Sequence, residues 1–434
     1  MSIPTLQGLQ TALSGLIAEQ QAIDVAGNNI ANANTEGYTR ESVLMGSTPP
    51  IDIPALSQVT GKGAQLPTGV SVEAYTRIRN AYLDSQYRTQ NSGLSSANTL
   101  SERLQQAQAT FAEPSSTSIA SQLSAFWSAW NGLANDPENE AAQQGVVGAG
   151  EHLAASLHEV GAELEAISAQ VGEQYANITG PTGEVASYAN EIAQLNGQIR
   201  LDQEAGQQPN TMLDRRDLLL DKLSALGNIT VTQQPNGYDT VSFGDAAKPL
   251  VEGTSVNWPQ TLTAVTGGQL GALLGMTSPT GALTSFQNGL DGVAATLASS
   301  VNALTSTPFF SGSTAATLTV AVTAKEVQAG TEASYNSIAQ KVAALRGGEA
   351  DQGYATLVEQ VGTAVRNANN EKTNSQTTLA TVANLRESVS GVSLDEEMTN
   401  LMSFQRGYQA SARTLTTMDE MLETLIEHTG RVGL

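Results

Sequence analysis

The fold is decided by residues 394–426, LDEEMTNLMSFQRGYQASARTLTTMDEMLETLI, which carry a heptad pattern. Apolar side chains recur there at every seventh position: Leu394, Leu401, Tyr408, Leu415 and Leu422. A second row is supplied by Met398, Ala412 and Ile426. This spacing predicts one long helix with a coiled-coil seam. Ser393 and Glu396 form a capping box, so the helix is predicted to begin between them.

The N-terminal end repeats the pattern. In residues 3–31 one apolar row is Leu9, Leu16, Ile23 and Ile30, and the complementary row begins with Leu6 and Leu13. Gln20 and Gly27 interrupt the second row, and an isolated helix of this length is marginal in water. We therefore expect the N-terminal and C-terminal helices to pair with each other.

The middle of the chain mixes helices with short strands. A sevenfold row runs from Leu157 to Ile199, and Gly180-Pro181 predicts a kink in that helix. Turn residues 235–237 separate two β-branched runs at 229–231 and 241–243, which predicts a hairpin. Further interpretations are a strand at 318–322, a helix at 282–304, weaker helical patterns at 81–111 and 355–390, and an extended linker or loose strands at 42–75.

These patterns predict a mainly α fold with a β-rich insert. It consists of terminal coiled-coil helices, a long-helix bundle and a discontinuous β-containing middle domain. The predicted divisions are 1–40 (N-terminal helix and motif), 41–227 (linker and bundle), 228–350 (β-rich domain with an inserted helix), 351–390 (returning bundle helix) and 391–434 (C-terminal helix pairing with 1–40).

Composition excludes several kinds of partner and site. The chain has 434 residues and a formal net charge of −22, which disfavours nucleic acid and membrane surfaces. It has no cysteine, so disulfides and thiolate chemistry are excluded. No stretch of 18 apolar residues is present, and no basic residue precedes Arg40, so the N-terminal stretch lacks the charged region of a signal peptide. Composition alone suggests a cytoplasmic protein.

The sequence offers little chemistry. The three histidines show no metal-ligand spacing, and phosphate-loop, dinucleotide-binding and nucleophile-elbow motifs are missing. The acidic run 395–397 suits the first turn of a helix, where carboxylates stabilise the dipole. We expect no catalytic residue, no cofactor and no metal site.

Two polar motifs adjoin the terminal heptads. The first, over residues 27–38, ends the N-terminal helix with Asn28, Asn29, Asn32, Asn34, Thr35, Gly37 and Tyr38. Asparagine and glycine there can satisfy the last helical carbonyls, but the density of asparagine exceeds what a helix end needs. The second, over residues 404–413, includes Gln405 and small residues that would let a neighbouring helix approach closely.

Both motifs resemble the terminal signatures of bacterial flagellar axial proteins, the rod, hook and hook-associated subunits. The N-terminal resemblance covers Asn28 to Tyr38, and the C-terminal one covers Ser393 to Met398, Gln405 to Ala410 and Asp419 to Leu422. Within this superfamily, residues 209–223 resemble a motif of the hook-associated protein 1 family. The residues that define that motif are Leu213, Asp214, Arg215, Asp217 and Leu223.

The resemblance implies a structural subunit at the junction of hook and filament. It would be exported unfolded through the flagellar type III apparatus without a cleaved signal peptide, and would end outside the cell in the flagellum. The implied partners are other copies of the chain in a ring, the hook protein, the second junction protein and a cytoplasmic chaperone on the C-terminal helix. The chain is short for the family, which suggests that an outer domain is reduced or missing.

Three other functions stay open from the residues. A hook or distal rod protein shares the terminal motifs but usually lacks residues 213–223 and the long helices before them. A flagellum-associated cell-wall hydrolase needs a positioned acid in an apolar cleft, and a cytoplasmic helical binding module would not be secreted. For the preferred function we expect terminal helices that are poorly ordered in a single subunit and fold on assembly, since ordering costs about 1–2 kcal/mol per residue.

Overall fold

The computed structural model describes residues 3–53, 64–234, 237–262, 264–331 and 335–428. Two long helices stand at the ends of the chain, α1 (Ile3–Asn32) and α11 (Leu394–His428). The prediction of long helices at both ends is confirmed. Between them lies a body of helices and small antiparallel sheets, so the predicted mainly α fold with a β-rich insert is confirmed as well.

The described part of the body contains nine helices: α2 (Ala81–Thr110), α3 (Ile119–Asn135), α4 (Glu140–Thr179), α5 (Glu184–Glu204), α6 (Asn210–Leu226), α7 (Gly268–Thr277), α8 (Ala282–Asn302), α9 (Ser337–Ala343) and α10 (Glu349–Ser390). α10 packs along α2 and α8, while α4 packs against α3. The predicted helix at 282–304 is confirmed as α8. Since α8 contacts α4 and α10, residues 282–302 contribute to the helical bundle.

The strands are short and antiparallel: β1 (Glu41–Ser47), β2 (Ile51–Ile53), β3 (Ala64–Leu66), β4 (Val70–Arg77), β5 (Ile229–Gln233), β6 (Asp239–Phe243), β7 (Pro249–Glu252), β8 (Ser255–Val256), β9 (Phe310–Ser311) and β10 (Thr319–Val320). The largest sheet has the order β5-β6-β7-β8. The predicted hairpin is confirmed by the β5–β6 pairing, although Pro235 and Asn236 of its turn lie outside the described residues. The strand predicted at 318–322 is confined to β10, which pairs with β9.

A β-ribbon lies beside α1. β1 pairs with β4 from Glu41–Arg77 to Ser47–Val70, with a bulge between Leu44 and Met45. Both strands contact α1. The segment predicted as a linker or loose strands is therefore an ordered ribbon at its two ends, and it connects the terminal helix to α2.

One hydrophobic core fills the body. Its centre is aromatic: the rings of Phe126 and Trp130 on α3 contact Phe309, with centroids 5.6 and 5.5 Å apart. The core extends from Leu104 on α2 to Ala368 on α10, and it includes no described residue of α1 or α11. Packing in the body is thus separate from packing between the terminal helices.

The predicted kink at Gly180-Pro181 is wrong, because the chain leaves the helical conformation there. α4 ends at Thr179, and α5 begins at Glu184 with Gly183 in the N-cap position. Proline removes a helical N–H and clashes with the preceding turn. A Cβ on Gly183 would lie 2.3 Å from the carbonyl oxygen of Ile178, so the turn needs glycine at this position.

Candidate assembly interface

The terminal helices α1 and α11 pack against each other in antiparallel orientation. A Cβ on Gly8 would lie 2.7 Å from Met418 Cε, and one on Gly15 would lie 3.1 Å from Ser411 Oγ. Near the other end of the pair, Asn29 reaches Glu397. Both helices are formed and docked in the single chain. The expected pairing of the two terminal helices is thus seen, and their folding on assembly stays a prediction about the free subunit.

Small side chains, not the predicted leucine row, form the centre of this contact on α1. The buried apolar residues of the described part of α1 are alanines: Ala12, Ala18, Ala22 and Ala26. Ala12, Ala22 and Ala26 share the helix face of Gly8 and Gly15, and the ribbon strands also contact α1. The predicted residues flank that seam, with Leu9, Leu16, Ile23 and Ile30 half-buried and Leu13 47% exposed. The contact lies on the face with alanine and glycine, and not on the predicted leucine row, because these small residues allow closer helix packing than leucine. The side chain of Leu6 lies outside the described residues.

On α11 the predicted rows divide between two faces. Leu401, Tyr408, Ala412, Leu415 and Leu422 are half-buried, as expected of residues beside the α1 contact. Leu394, Met398, Gln405 and Ile426 are exposed, and Ile426 reaches 77%. Other large apolar residues that are exposed on the two helices are Ile17, Met402 and Met421. The terminal pair thus leaves an apolar surface uncovered in the single chain.

One buried asparagine side chain forms hydrogen bonds that hold the C-terminal end of α1 in place. Asn29 is 1% exposed, and its amide donates to Glu397 Oε2 at 3.1 Å and to the carbonyl of Glu41 at 2.9 Å. Its side-chain oxygen accepts from the Tyr38 hydroxyl at 2.8 Å and from the Glu41 N–H at 3.0 Å. Asn29 therefore joins α1, the following turn, β1 and α11. Burial, together with the carboxylates of Glu41, Asp214 and Glu397, raises the pKa of Tyr38, which keeps its hydroxyl protonated.

The other residues of the N-terminal motif shape the turn. Asn32 donates to Asn28 Oδ1 at 2.9 Å, and Thr35 donates to Asn32 Oδ1 at 3.2 Å. Asn34 is exposed. Gly37 has a φ of 80°, and a Cβ there would lie 3.1 Å from the Cβ of Leu218 on α6, so glycine lets the turn rest on the body.

The motif at residues 213–223 joins the body to the ribbon through ion pairs. Asp214, Asp217 and Asp221 share one face of α6 and meet arginines from four other segments of the chain. We call this set the arginine–aspartate cluster. Its ion pairs are Arg77–Asp214 (2.8 Å), Arg77–Asp217 (2.9 Å), Arg79–Asp217 (3.1 Å), Arg79–Asp84 (2.6 Å), Arg88–Asp217 (3.0 Å), Arg88–Asp221 (2.8 Å), Arg386–Asp221 (2.7 Å) and Arg386–Asp84 (3.8 Å).

Asp217 lies at the centre of this cluster. Burial alone would raise the pKa of Asp217, but Arg79, Arg77 and Arg88 outweigh burial and hold the pKa below its ordinary value. Asp214 accepts from the buried N–H of Thr39 at 3.1 Å, which ties the chain after α1 to α6. The cluster thus connects the N-terminal turn, the ribbon, α2, α6 and α10.

The remaining residues of that motif have separate places. Leu223 is fully buried, Leu213 is half-buried, and Arg215 is exposed and pairs with Glu191 at 2.8 Å. Arg216 pairs with Asp239 on β6 at 3.0 Å. Sequence reasoning missed Asp221 and the arginine partners as site residues. The sequence did contain a signal for them: aspartates at positions 214, 217 and 221 have the spacing that places three carboxylates on one face of a helix.

Among the described residues, no group of three or more acidic or histidine side chains is arranged to hold a metal ion. None of the described helices has an apolar stretch long enough to cross a bilayer.

Three parts of the chain match known flagellar protein families. Residues 104–263 match a model described as the flagellar hook-associated protein FlgK helical domain. Residues 9–39 match a flagella basal body rod protein model, and residues 386–427 match the C-terminal model of flagellar basal body rod FlgEFG proteins. The helical-domain match covers the end of α2, the helices α3 to α6 and the sheet of β5 to β8. The chain is therefore similar to a flagellar hook-associated protein in its helical domain and to flagellar rod proteins at both ends.

Individual proteins are also similar to this chain. Flagellar hook-associated protein 1 of Bacillus subtilis is 27% identical over 508 aligned positions, which span 99% of this chain and 99% of that protein. The Escherichia coli hook-associated protein 1 is 30% identical over 57% of this chain and 43% of its own length.

A solved structure is also similar. The flagellar hook junction protein FlgK of Burkholderia pseudomallei is 27% identical, with a TM-score of 0.45, over 51% of this chain and 43% of that one.

Proposed function

We propose that this chain forms the junction between hook and filament by self-assembly through α1 and α11. The hook-associated subunit is a structural part of the bacterial flagellum, and its terminal helices are the contact surfaces between copies. The two family matches at the chain ends support this, because each covers one terminal helix and its adjoining motif.

The observation that carries the proposal is the division of apolar residues in the terminal pair. Small residues, alanine and glycine, lie in the contact between α1 and α11. Larger apolar side chains such as Ile17, Met402 and Met421 remain at least 47% exposed. Fully burying one such side chain contributes about 1.5–3 kcal/mol, so half-exposed ones offer roughly 1 kcal/mol each. Covering this surface in a ring of copies would stabilise the assembly.

The finer assignments belong to the same proposal. The assembled protein lies outside the cell, exported through the flagellar apparatus without a cleaved signal peptide. The hook protein and the second junction protein bind on either side of the ring. A cytoplasmic chaperone covers α11 before export, where Met398 and Met402 provide exposed flexible apolar side chains.

The test is complementation of a flagellated strain that lacks its own hook-associated protein 1. The full chain should restore filaments on hooks, whereas a chain lacking residues 394–434 should leave bare hooks with flagellin in the medium. Leu201→Ser, at an apolar residue of α5 that is 59% exposed, is the matched control and should restore filaments. Filaments on hooks with the truncated chain would contradict the proposal, and so would bare hooks with the full chain.

A further inference from the structure

The contact between α1 and α11 contains a carboxylate oxygen that has no hydrogen-bond partner among the described residues. Glu19 on α1 rests on Gly407 of α11, where a Cβ would lie 2.5 Å from Glu19 Oε1. Glu19 Oε2 is buried and has no hydrogen-bond partner among the described residues. Burial raises the pKa of Glu19, and no nearby cation opposes that shift. A buried carboxylate oxygen without a hydrogen-bond partner is costly for the single chain.

The complementary charge is present on the outer face of α11. Between Glu397 and Asp419 this helix has two charged residues, Arg406 and Arg413, spaced one heptad apart. Both side chains are exposed, and in the described part of the chain neither forms an ion pair. α1 has only negative charges, because Glu19 and Asp24 are its charged residues. Apposed α1 and α11 of different copies would therefore attract each other, although the whole chain has a net charge of −22.

We propose that Glu19 of one copy is bound by Arg406 or Arg413 of a neighbouring copy in the assembled ring. This rests on the proposed function, because it names the charge pair that orients the terminal helices of adjacent copies. Glycine at 407 leaves the space that the Glu19 carboxylate occupies. An arginine from a second copy satisfies that carboxylate only once copies stack, so the pair favours the assembled state over the free subunit.

The first experiment separates the free subunit from the assembly. Glu19→Gln removes the charge with little change in volume. The purified E19Q subunit should unfold at the same temperature as the parent chain or a higher one, since a desolvated charge is lost. Its incorporation into flagella should fall about tenfold, because a buried charged hydrogen bond between copies is lost. Asp24→Asn, an equal charge change at an exposed residue of the same helix, should change incorporation less than threefold.

Charge reversal tests the arginine partner. Glu19→Arg alone should abolish incorporation, and combining it with Arg406→Glu or with Arg413→Glu should restore incorporation to within about threefold of the parent chain. Arg366→Glu, at an exposed arginine of α10 without an acidic partner among the described residues, should not restore it.

Cross-linking shows whether the pair joins two copies. The chain has no cysteine, so E19C chains can be produced together with R406C or R413C chains and treated in isolated flagella with a short bismaleimide. Covalent mixed dimers are expected with one of the two arginine positions, and only background dimers with R366C.

Two results would overturn this inference and leave the proposed function intact. One is the absence of mixed dimers above background from chains that do enter flagella, and the other is unchanged incorporation of E19Q. Failure of the parent chain to enter flagella would instead overturn the proposed function.

Discussion

At the scale of single residues, buried polar groups hold the terminal pair to the body. Asn29 satisfies a carboxylate, a carbonyl, a hydroxyl and a backbone N–H at once. Asp217 contacts three arginines from β4, the following loop and α2. Such groups are costly when one partner is removed, because the others stay buried without compensation. They therefore define one orientation of the N-terminal turn on α6.

Asp217→Asn tests this at the centre of the arginine–aspartate cluster. We expect a loss of about 3 kcal/mol in the free energy of unfolding at neutral pH. The folded-state pKa of Asp217 is lowered, so its stabilisation is present above the unfolded value near 3.8 and is lost as the pH falls through the folded value. The difference between variant and parent, measured by urea unfolding, should therefore shrink in acid.

Glu204→Gln is the control for that measurement. Glu204 forms an exposed pair with Arg200 within α5, and its loss should change stability by less than about 0.5 kcal/mol. An equal effect of the two substitutions would show that the cluster does not hold the body together.

At the scale of elements, the α1–α11 contact depends on residues that are too small to mark a heptad. Gly8, Gly15 and Gly407 each face a side chain of the opposite helix at a distance where a Cβ would force that side chain to move. Glycine weakens a helix by about 1 kcal/mol relative to alanine, so close approach must compensate for this in the folded chain. The contact therefore depends on shape rather than on helix propensity.

Gly407→Leu should separate the two helices although it raises helix propensity. The new side chain would enter the space of Glu19, with an expected cost of about 1–3 kcal/mol from overpacking. Amide hydrogen exchange in α1 and α11 should accelerate, while exchange in the body stays unchanged. Ala410→Leu, at an exposed position of the same helix, is the control and should leave protection intact. Unchanged protection in G407L would disprove the close contact.

At the scale of the whole molecule, the chain has two separately packed parts. The hydrophobic core lies between residues 104 and 368, and polar contacts hold the segments next to the terminal helices to α6. Thr39, after α1, donates to Asp214, and Arg386, near the end of α10, pairs with Asp221. This division suits a subunit whose ends pack with neighbouring copies while its body keeps its own shape. Stability of the body should therefore not depend on α11.

Deleting residues 394–434 should leave the body folded. In differential scanning calorimetry we expect the main unfolding transition of the truncated chain within about 4 °C of the parent transition, because no described core residue is removed. The enthalpy of the α1–α11 contact should disappear. Loss of the main transition would show that the terminal pair is part of the cooperative core.

The sequence by itself determined the long terminal helices, the mainly α class and the hairpin of β5 and β6. Periodicity and turn chemistry are local properties, and residues 27–38 and 213–223 already carried the family resemblance. Only the tertiary structure decided that alanine and glycine form the α1–α11 contact. These small residues lie on the helix face next to that of the predicted leucines. The tertiary structure also decided that Asp217 meets Arg77, Arg79 and Arg88. Both outcomes depend on which surfaces approach most closely across hundreds of residues, and a repeat within one helix contains no information about its partner.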